Sequence, residues 1–465
     1  MNQRIVFVWP NYNMHVSYGP NIGILAAVAK RYGADVFVYH VHSELGNPPA
    51  VEKCAEDIST LNPTIIGITS STFEWSFVKE LALNLRGKTC AKLVLGGSHA
   101  TFCKNDDGFN LFDFVVVGEG EKIITDLLFG KNPDSKIVTG QMIEDLDSLP
   151  FMDRGSFKMQ KIINARGGLI DFIAQRGCPH NCNYCSNFAL RDLYGNKFLR
   201  QRSVDNVIGE INEVKNTYNF SKIFFHDDIF TLRRNWVMEF CERYKREINL
   251  PLLINSHVNC LPDDILTVLA KSGCVEIKMG IESGDEDVRK KVLNRSVSNE
   301  LIHSRFNAIR KAGIRSYAYM MKGVPASTGE TYEKNVFLMK DILPDVIRST
   351  IFFPLPNTVL GNNQQYRLNG EITASTLGDS PTSIFGEKNL LDFYLFGWNI
   401  NLCLGISEYK DFILKYSTPK NLNVDELKYV DKKISAKMAG LGKIHYAFGN
   451  ECSMLKLING SKSLF

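Results

Sequence analysis

Short, continuously apolar runs alternate with stretches of helical periodicity through the first part of the chain. The runs are IVFVW (5–9), DVFVYHV (35–41), TIIGITS (64–70), KLVLGG (92–97) and FDFVVVGEG (112–120). Runs of this kind are the mark of parallel strands buried on both faces. Between them, IGILAAVAKR, AVEKCAEDIST, FVKELALNL and EKIITDLL space their apolar residues three and four apart, as helices with one buried face do. The pattern predicts five strands of a doubly wound, Rossmann-like α/β domain over residues 1–150, with its ligand at the carboxyl ends of the strands.

A second series begins near Gly155. LIDFIAQ, KIFFHDD, LLINS, VEIKMGIESG, SYAYMMKGVP and VIRSTIFF are separated by amphipathic segments such as SVDNVIGEINEVKNTY and ELIHSRFNAIRKAG. Six strand and helix repeats predict a partial (β/α)6 TIM-type barrel over residues 151–355, again with chemistry at the carboxyl ends. The rhythm is then lost. Residues 356–465 read as a mainly helical C-terminal segment, with Asn423 and Glu426 in capping-box spacing.

The composition narrows the function classes. At 465 residues the chain is long enough for two or three domains, and 44% hydrophobic with 22% charged residues is ordinary for a globular protein. A net charge of +4 gives no electrostatic case for nucleic acid or an anionic membrane as partner. No run of about 20 apolar residues appears, and the apolar run at the amino terminus is too short for a secretory signal. A cytoplasmic protein is expected. Its eleven cysteines show no secreted framework, so reduced thiols are expected, and a tight cysteine cluster in that setting suggests a metal.

Such a cluster directly follows the first strand of the second series, in RGCPHNCNYC (176–185). Cys178, Cys182 and Cys185 supply three thiolates, whereas a structural [4Fe–4S] centre normally takes four. Three ligands leave one iron open to bind and activate something. The competing reading is a zinc site completed by His180 or a distant cysteine.

With an aromatic Tyr184 before its last cysteine, the triplet resembles the signature of the radical S-adenosylmethionine (SAM) superfamily. The resemblance implies that Cys178, Cys182 and Cys185 hold a [4Fe–4S] cluster whose open iron chelates SAM, and that one electron cleaves SAM to a 5′-deoxyadenosyl radical. It also implies SAM contacts from Tyr184, from Asp227 and Asp228 in FFHDDIFT, from Glu282 and Ser283 in GIESG, and from Gly323 and Pro325 in MKGVP. The two aspartates serve equally well as helix caps, and the last pair as a simple turn.

In the first domain, GITSST, LGGSHAT and VVVGEGE resemble the cobalamin-binding domain that precedes many radical SAM barrels. Small residues let backbone approach a flat corrin, and hydroxyls can bond its propionamides. The expected cobalamin contacts are Ser70, Ser71 and Thr72 after the third strand, Gly96, Gly97, Ser98 and His99 after the fourth, and Gly118, Glu119 and Gly120 after the fifth. The first strand is followed by NMHVSYG rather than the Asp-x-His-x-x-Gly loop of domains that ligate cobalt through histidine. It lacks the aspartate that would orient the imidazole of His15, so a corrin with an empty or hydrated lower face is expected.

Together the two domains resemble cobalamin-dependent radical SAM enzymes over about 350 residues. Most of these are methyltransferases in which a substrate radical takes a methyl group from methylcobalamin at an unactivated carbon or phosphorus centre; some relatives cyclise or rearrange without methyl transfer. The partners implied are a small-molecule or peptide substrate and an electron donor such as flavodoxin or ferredoxin. The protein's task in such chemistry is positioning, so no general base is named. A carrier or sensor that binds cobalamin and cluster without turnover is the non-enzyme alternative.

Overall fold

The structure is a computed structural model that describes residues 3–12, 16–103, 105–327 and 329–363. The chain divides into two compact units. Among the described residues, the first contains the chain up to Gly177 and Ala189–Phe220, and the second contains Cys178–Phe188 and residues 221–363.

In the first unit, strands β1 (Arg4–Pro10), β2 (Asp35–Val41), β3 (Ile65–Thr69), β4 (Lys92–Gly96), β5 (Phe114–Val117) and β6 (Ile137–Thr139) form one sheet in the order β2-β1-β3-β4-β5-β6. Every neighbouring pair is parallel. Helices α1 (Pro20–Arg31), α2 (Val51–Thr60), α3 (Trp75–Arg86), α4 (Ser98–Phe102) and α5 (Glu121–Leu128) connect them. The apolar runs are continuous because both faces are covered: in β1, Val6 and Val8 on one face and Ile5 and Phe7 on the other are all buried. Strand order reverses between β1 and β3, so the loops that follow these strands flank the crevice typical of such sheets. The five expected strands form. The sixth, β6, is a three-residue edge strand with Ile137 45% exposed, so no buried run announced it.

The first unit continues through α6 (Met159–Ala165), β7 (Leu169–Phe172), β8 (Gln175–Arg176), the end of α7 (Asn187–Tyr194), β9 (Arg200–Gln201) and α8 (Val204–Thr217). Ser203 caps α8 by accepting from the Asn206 amide at 3.1 Å. Glu210 of α8 is buried between Arg154 (2.5 Å) and Arg202 (2.6 Å), which holds its carboxyl below the usual range despite burial. A buried carboxylate with both oxygens paired locks this segment in place, because losing either partner would strand a charge in the interior.

The second unit carries five parallel strands in chain order: β10 (Lys222–Phe225), β11 (Leu252–Ser256), β12 (Cys274–Glu282), β13 (Arg315–Lys322) and β14 (Val346–Ile351). Helices α9 (Arg234–Glu247), α10 (Asp263–Ser272), α11 (Asn299–Lys311) and α12 (Gly329–Ile342) separate them. With β7, all six strands of the expected barrel series form, and each is followed by a helix up to α12. Local signals agree: Asp263 and Asp264 occupy the first turn of α10, Gly273 ends it in the left-handed conformation, and Ser298 caps α11. Among the described residues no helix is long and apolar enough to cross a membrane. The expected C-terminal segment, beyond Asn363, and His15 lie outside the described residues.

Candidate cofactor sites

In the second unit, the cysteine loop is held by the turn that follows β12. The Asn183 amide donates to the Leu293 carbonyl (3.0 Å), its side chain donates to the Val292 carbonyl (2.8 Å), and Asn294 donates to the Asn181 carbonyl (2.8 Å). Cys182 is buried, and Cys178 and Cys185 are partly exposed. Burial pushes the Cys178 thiol up to about 12 and the Cys185 thiol up to about 11, with the Asp228 carboxylate and the neighbouring sulfurs adding to it. Three thiols so placed become thiolates together only when a cation shares their charge.

The spacing of the donors bears on which cation. Among the described residues, the trio whose donor atoms lie within 4.8 Å of one another is His180, His257 and Cys260, not the three thiols. One tetrahedral zinc with bonds of about 2.3 Å would draw its sulfurs to roughly 3.8 Å. Among the described residues the three thiols do not form such a close trio. In the histidine trio, the imidazoles of His180 and His257 stack with centroids 4.0 Å apart and planes 24° apart. Burial lowers His257 to about 2, so that ring is neutral in the fold.

Around the thiols stands a buried polar group that only partly follows from the motifs. Glu282 ends β12 with φ of 71°, a left-handed conformation rare outside glycine, and the register of β12 against β13 shifts between Gly280 and Glu282. The shift carries the Glu282 carboxylate back over its own strand: a Cβ at Gly280 would lie 2.3 Å from Glu282 Oε1. The Tyr184 hydroxyl hydrogen-bonds that carboxylate. Burial pushes the Glu282 carboxyl above its usual range, opposed by the charge of Arg295 and by the tyrosine. Arg295 donates from Nη2 to the Gly280 carbonyl at 2.5 Å, and its Nη1 lies 3.8 Å from Cys182 Sγ. Sequence reasoning missed Arg295, since a lone arginine in VLNRSV carries no motif and its only signal is burial in the fold.

The other expected SAM residues take varied positions. Asp228 accepts from the Asn187 side chain at 3.0 Å, and the Asp227 carbonyl accepts from Asn255 at 3.2 Å. Ser283 is buried, and its hydroxyl donates to Asn335 of α12 at 3.1 Å. Gly323, at φ of 67°, and Pro325 are buried just after β13.

In the first unit, the ends of β3, β4 and β5 carry the expected cobalamin residues. The Ser70 amide donates to the Gly96 carbonyl (3.0 Å), and the His99 amide donates to the Ser70 carbonyl (2.9 Å). Gly97 has φ of 94°, and a Cβ there would meet the Ser70 backbone at 2.7 Å, so only glycine closes these two loops. Gly96 and Ser98 open outward: a Cβ at Gly96 meets nothing within 4 Å, and Ser98 is exposed. The hydroxyls look inward. Ser70 donates to the Ser71 carbonyl, Ser71 to the Glu74 carboxylate, and Thr72 lies 3.4 Å from His99 Nδ1. His99 is buried, stacked on Trp75 at 4.3 Å and beside Asp106; burial lowers it to about 4 against the pull of that aspartate.

Glu119 is committed elsewhere. Its carboxylate pairs with Arg200 at 2.6 Å and Arg176 at 3.0 Å, and it accepts from the Ile143 amide at 2.8 Å. These partners hold its carboxyl low against burial. Glu121 pairs with Arg176 at 2.6 Å. The Tyr194 hydroxyl accepts from the Glu119 amide at 2.6 Å and donates to the Gly140 carbonyl at 3.1 Å. A Cβ at Gly118, where φ is 83°, would lie 1.9 Å from that hydroxyl, whereas Gly120 faces Leu25 at 3.4 Å.

Family comparison accounts for both units. Residues 172–339 match the model of the radical SAM superfamily, and residues 16–128 match that of the B12 binding domain. The chain thus carries a radical SAM domain and a B12-binding domain. It is 26% identical over 332 residues to an uncharacterized methyltransferase, PH0819, of Pyrococcus horikoshii, covering 66% of this chain and 70% of that one. It is also 26% identical over 393 residues to the anaerobic magnesium-protoporphyrin IX monomethyl ester cyclase of Rubrivivax gelatinosus, covering 76% and 68%. In fold it resembles the radical SAM methyltransferase TsrM of Kitasatospora setae, solved with tryptophan and a SAM analogue, at a TM-score of 0.67 and 14% identity over 94% of this chain and all of that one. The cofactors of these two domains are a [4Fe–4S] cluster with SAM and a cobalamin. The residues fit them: three thiols with no fourth cysteine in their loop, and a floor of small residues at the β3 and β4 ends with an open direction at Gly96.

Proposed function

We propose that the protein is a cobalamin-dependent radical SAM methyltransferase acting on an unactivated carbon or phosphorus centre of a small molecule or peptide. The observation that carries this reading is the complete thiol triplet in a chain that also has a B12-binding domain; the methyltransferase names of PH0819 and TsrM support it. When bound, the cluster supplies the electron that cleaves SAM to a 5′-deoxyadenosyl radical, and cobalamin supplies the methyl group.

The chain's own residues bind and orient. Cys178, Cys182 and Cys185 hold the cluster, and Tyr184, Glu282 and Arg295 form one buried polar wall beside it. That wall, with Asp227, Asp228, Gly323 and Pro325, is the proposed boundary of the SAM pocket. Ser283 acts through Asn335 by fixing the turn after β12. Backbone at Gly96, Gly97 and Ser98 would carry the corrin, with Ser70, Ser71, Thr72, His99, Gly118, Glu119 and Gly120 shaping the loops around it. A one-electron donor of flavodoxin or ferredoxin type and a reducing cytoplasmic setting suit this chemistry.

A second reading, cyclisation or rearrangement without methyl transfer, is favoured by the Rubrivivax relative. Anaerobic protein reconstituted with iron and sulfide, given SAM, a reductant and hydroxocobalamin, separates the two. Formation of both 5′-deoxyadenosine and S-adenosylhomocysteine, followed by mass spectrometry, supports methyl transfer. Deoxyadenosine without S-adenosylhomocysteine supports the second reading, and neither product from cluster-loaded protein contradicts both.

A further inference from the structure

We propose that Arg295 is a positioning residue for Cys182, fixing that sulfur and raising the potential at which the cluster takes up its electron. The inference rests on the cluster reading above. Arg295 is 8% exposed, and its guanidinium is used at both ends: Nη2 is anchored on the Gly280 carbonyl at 2.5 Å, and Nη1 reaches Cys182 Sγ at 3.8 Å. Tyr184 and Glu282 face it, and the fully buried Arg289 is a cationic neighbour. The three ligands are therefore unequal. Cys182 meets a buried cation, whereas Cys178 and Cys185 face the Asp228 carboxylate.

Donors and positive charge at a ligand sulfur stabilise the more negative, reduced cluster, and both raise its reduction potential. In the step concerned, [4Fe–4S]2+ accepts one electron from a low-potential one-electron donor and becomes [4Fe–4S]1+, with no bond formed or broken. A fixed guanidinium lowers the demand on that donor.

The test uses full-length protein, reconstituted anaerobically and poised without SAM by titanium(III) citrate and mediators, with the [4Fe–4S]1+ EPR signal as readout. Arg295→Met should move the midpoint to more negative potential. Arg295→Gln keeps a donor without the charge and should fall between Met and wild type, while Arg295→Lys should restore most of the wild-type value. Equal midpoints in wild type, Arg295→Gln and Arg295→Met at matched iron content overturn the proposal. If Arg295→Met does not retain iron, Arg295→Gln decides alone, and no shift in it is a refutation. Absence of any [4Fe–4S] signal in the wild type would instead defeat the cluster reading beneath.

Discussion

Glu119 and Glu282 both stand at the carboxyl end of a buried parallel strand, both with glycines within two residues, and both drew notice in the sequence as cofactor residues. In the first unit, Glu119 is saturated: two arginines and a backbone amide occupy its oxygens. In the second, Glu282 has Tyr184 and the charge of Arg295 for company, sits in strained backbone, and keeps its carboxyl raised by burial. The same residue type is thus a clasp in one unit and, in the other, part of the buried polar wall proposed to bound the SAM pocket. Partner count separates them, because a carboxylate fully paired with arginines has nothing left to offer a ligand, while an incompletely paired one beside thiols does.

The sharpest way to break this contrast is at the thiols. Cys182→Ala should abolish stable iron loading and with it SAM cleavage, read by iron content and 5′-deoxyadenosine; retention of both would mean that the triplet has been misread. Next in size, Glu119→Ala should destabilise the protein by about 3–5 kcal/mol, because it leaves Arg200 and Arg176 short of a partner in the interior. Chemical denaturation should show the loss, while iron content should stay near one cluster per chain. An equal loss of iron would blur the distinction between clasp and wall.

Protonation gives a third handle. His99 in the fold sits near 4, below its ordinary 6.5, so on acidification the unfolded chain takes up the proton first. The stability this neutral ring contributes is complete above about 6.5 and is lost as pH falls toward 4. Between pH 7 and 5 the wild type should lose about 2 kcal/mol more than His99→Gln. Equilibrium unfolding at the two pH values checks this, and a matching loss in the variant would place His99 in a wetter site. The smallest effect is expected from Tyr194→Phe, which removes the acceptor of the Glu119 amide and the donor to Gly140. It should cost about 1 kcal/mol, read as a shift in the unfolding midpoint.

The parts that were legible in the sequence were those written in periodicity and spacing. Continuous apolar runs such as IVFVW and KLVLGG gave their strands, because burial on both faces leaves no polar alternation. The cysteine triplet was legible because its ligands are contiguous. What escaped has a common physical cause, which is long-range pairing. Arg295 lies 113 residues from the sulfur it approaches, and Arg200 lies 81 residues from Glu119. Tyr194, 75 residues from Glu119, fills the space at Gly118 that the glycine-rich motif offers to a ligand in the sequence. A motif tells which backbone is free to approach something; the fold decides whether a ligand or a side chain does so.

The central claim is that the thiols of the second unit hold a [4Fe–4S] cluster with one iron open to SAM. The most direct test is EPR spectroscopy of the anaerobically reconstituted, reduced full-length protein before and after SAM is added. The account predicts a [4Fe–4S]1+ signal whose g-values change on binding, and that is absent in Cys182→Ala. A spectrum unaltered by saturating SAM, or a triplet that loads zinc in preference to iron, would contradict it.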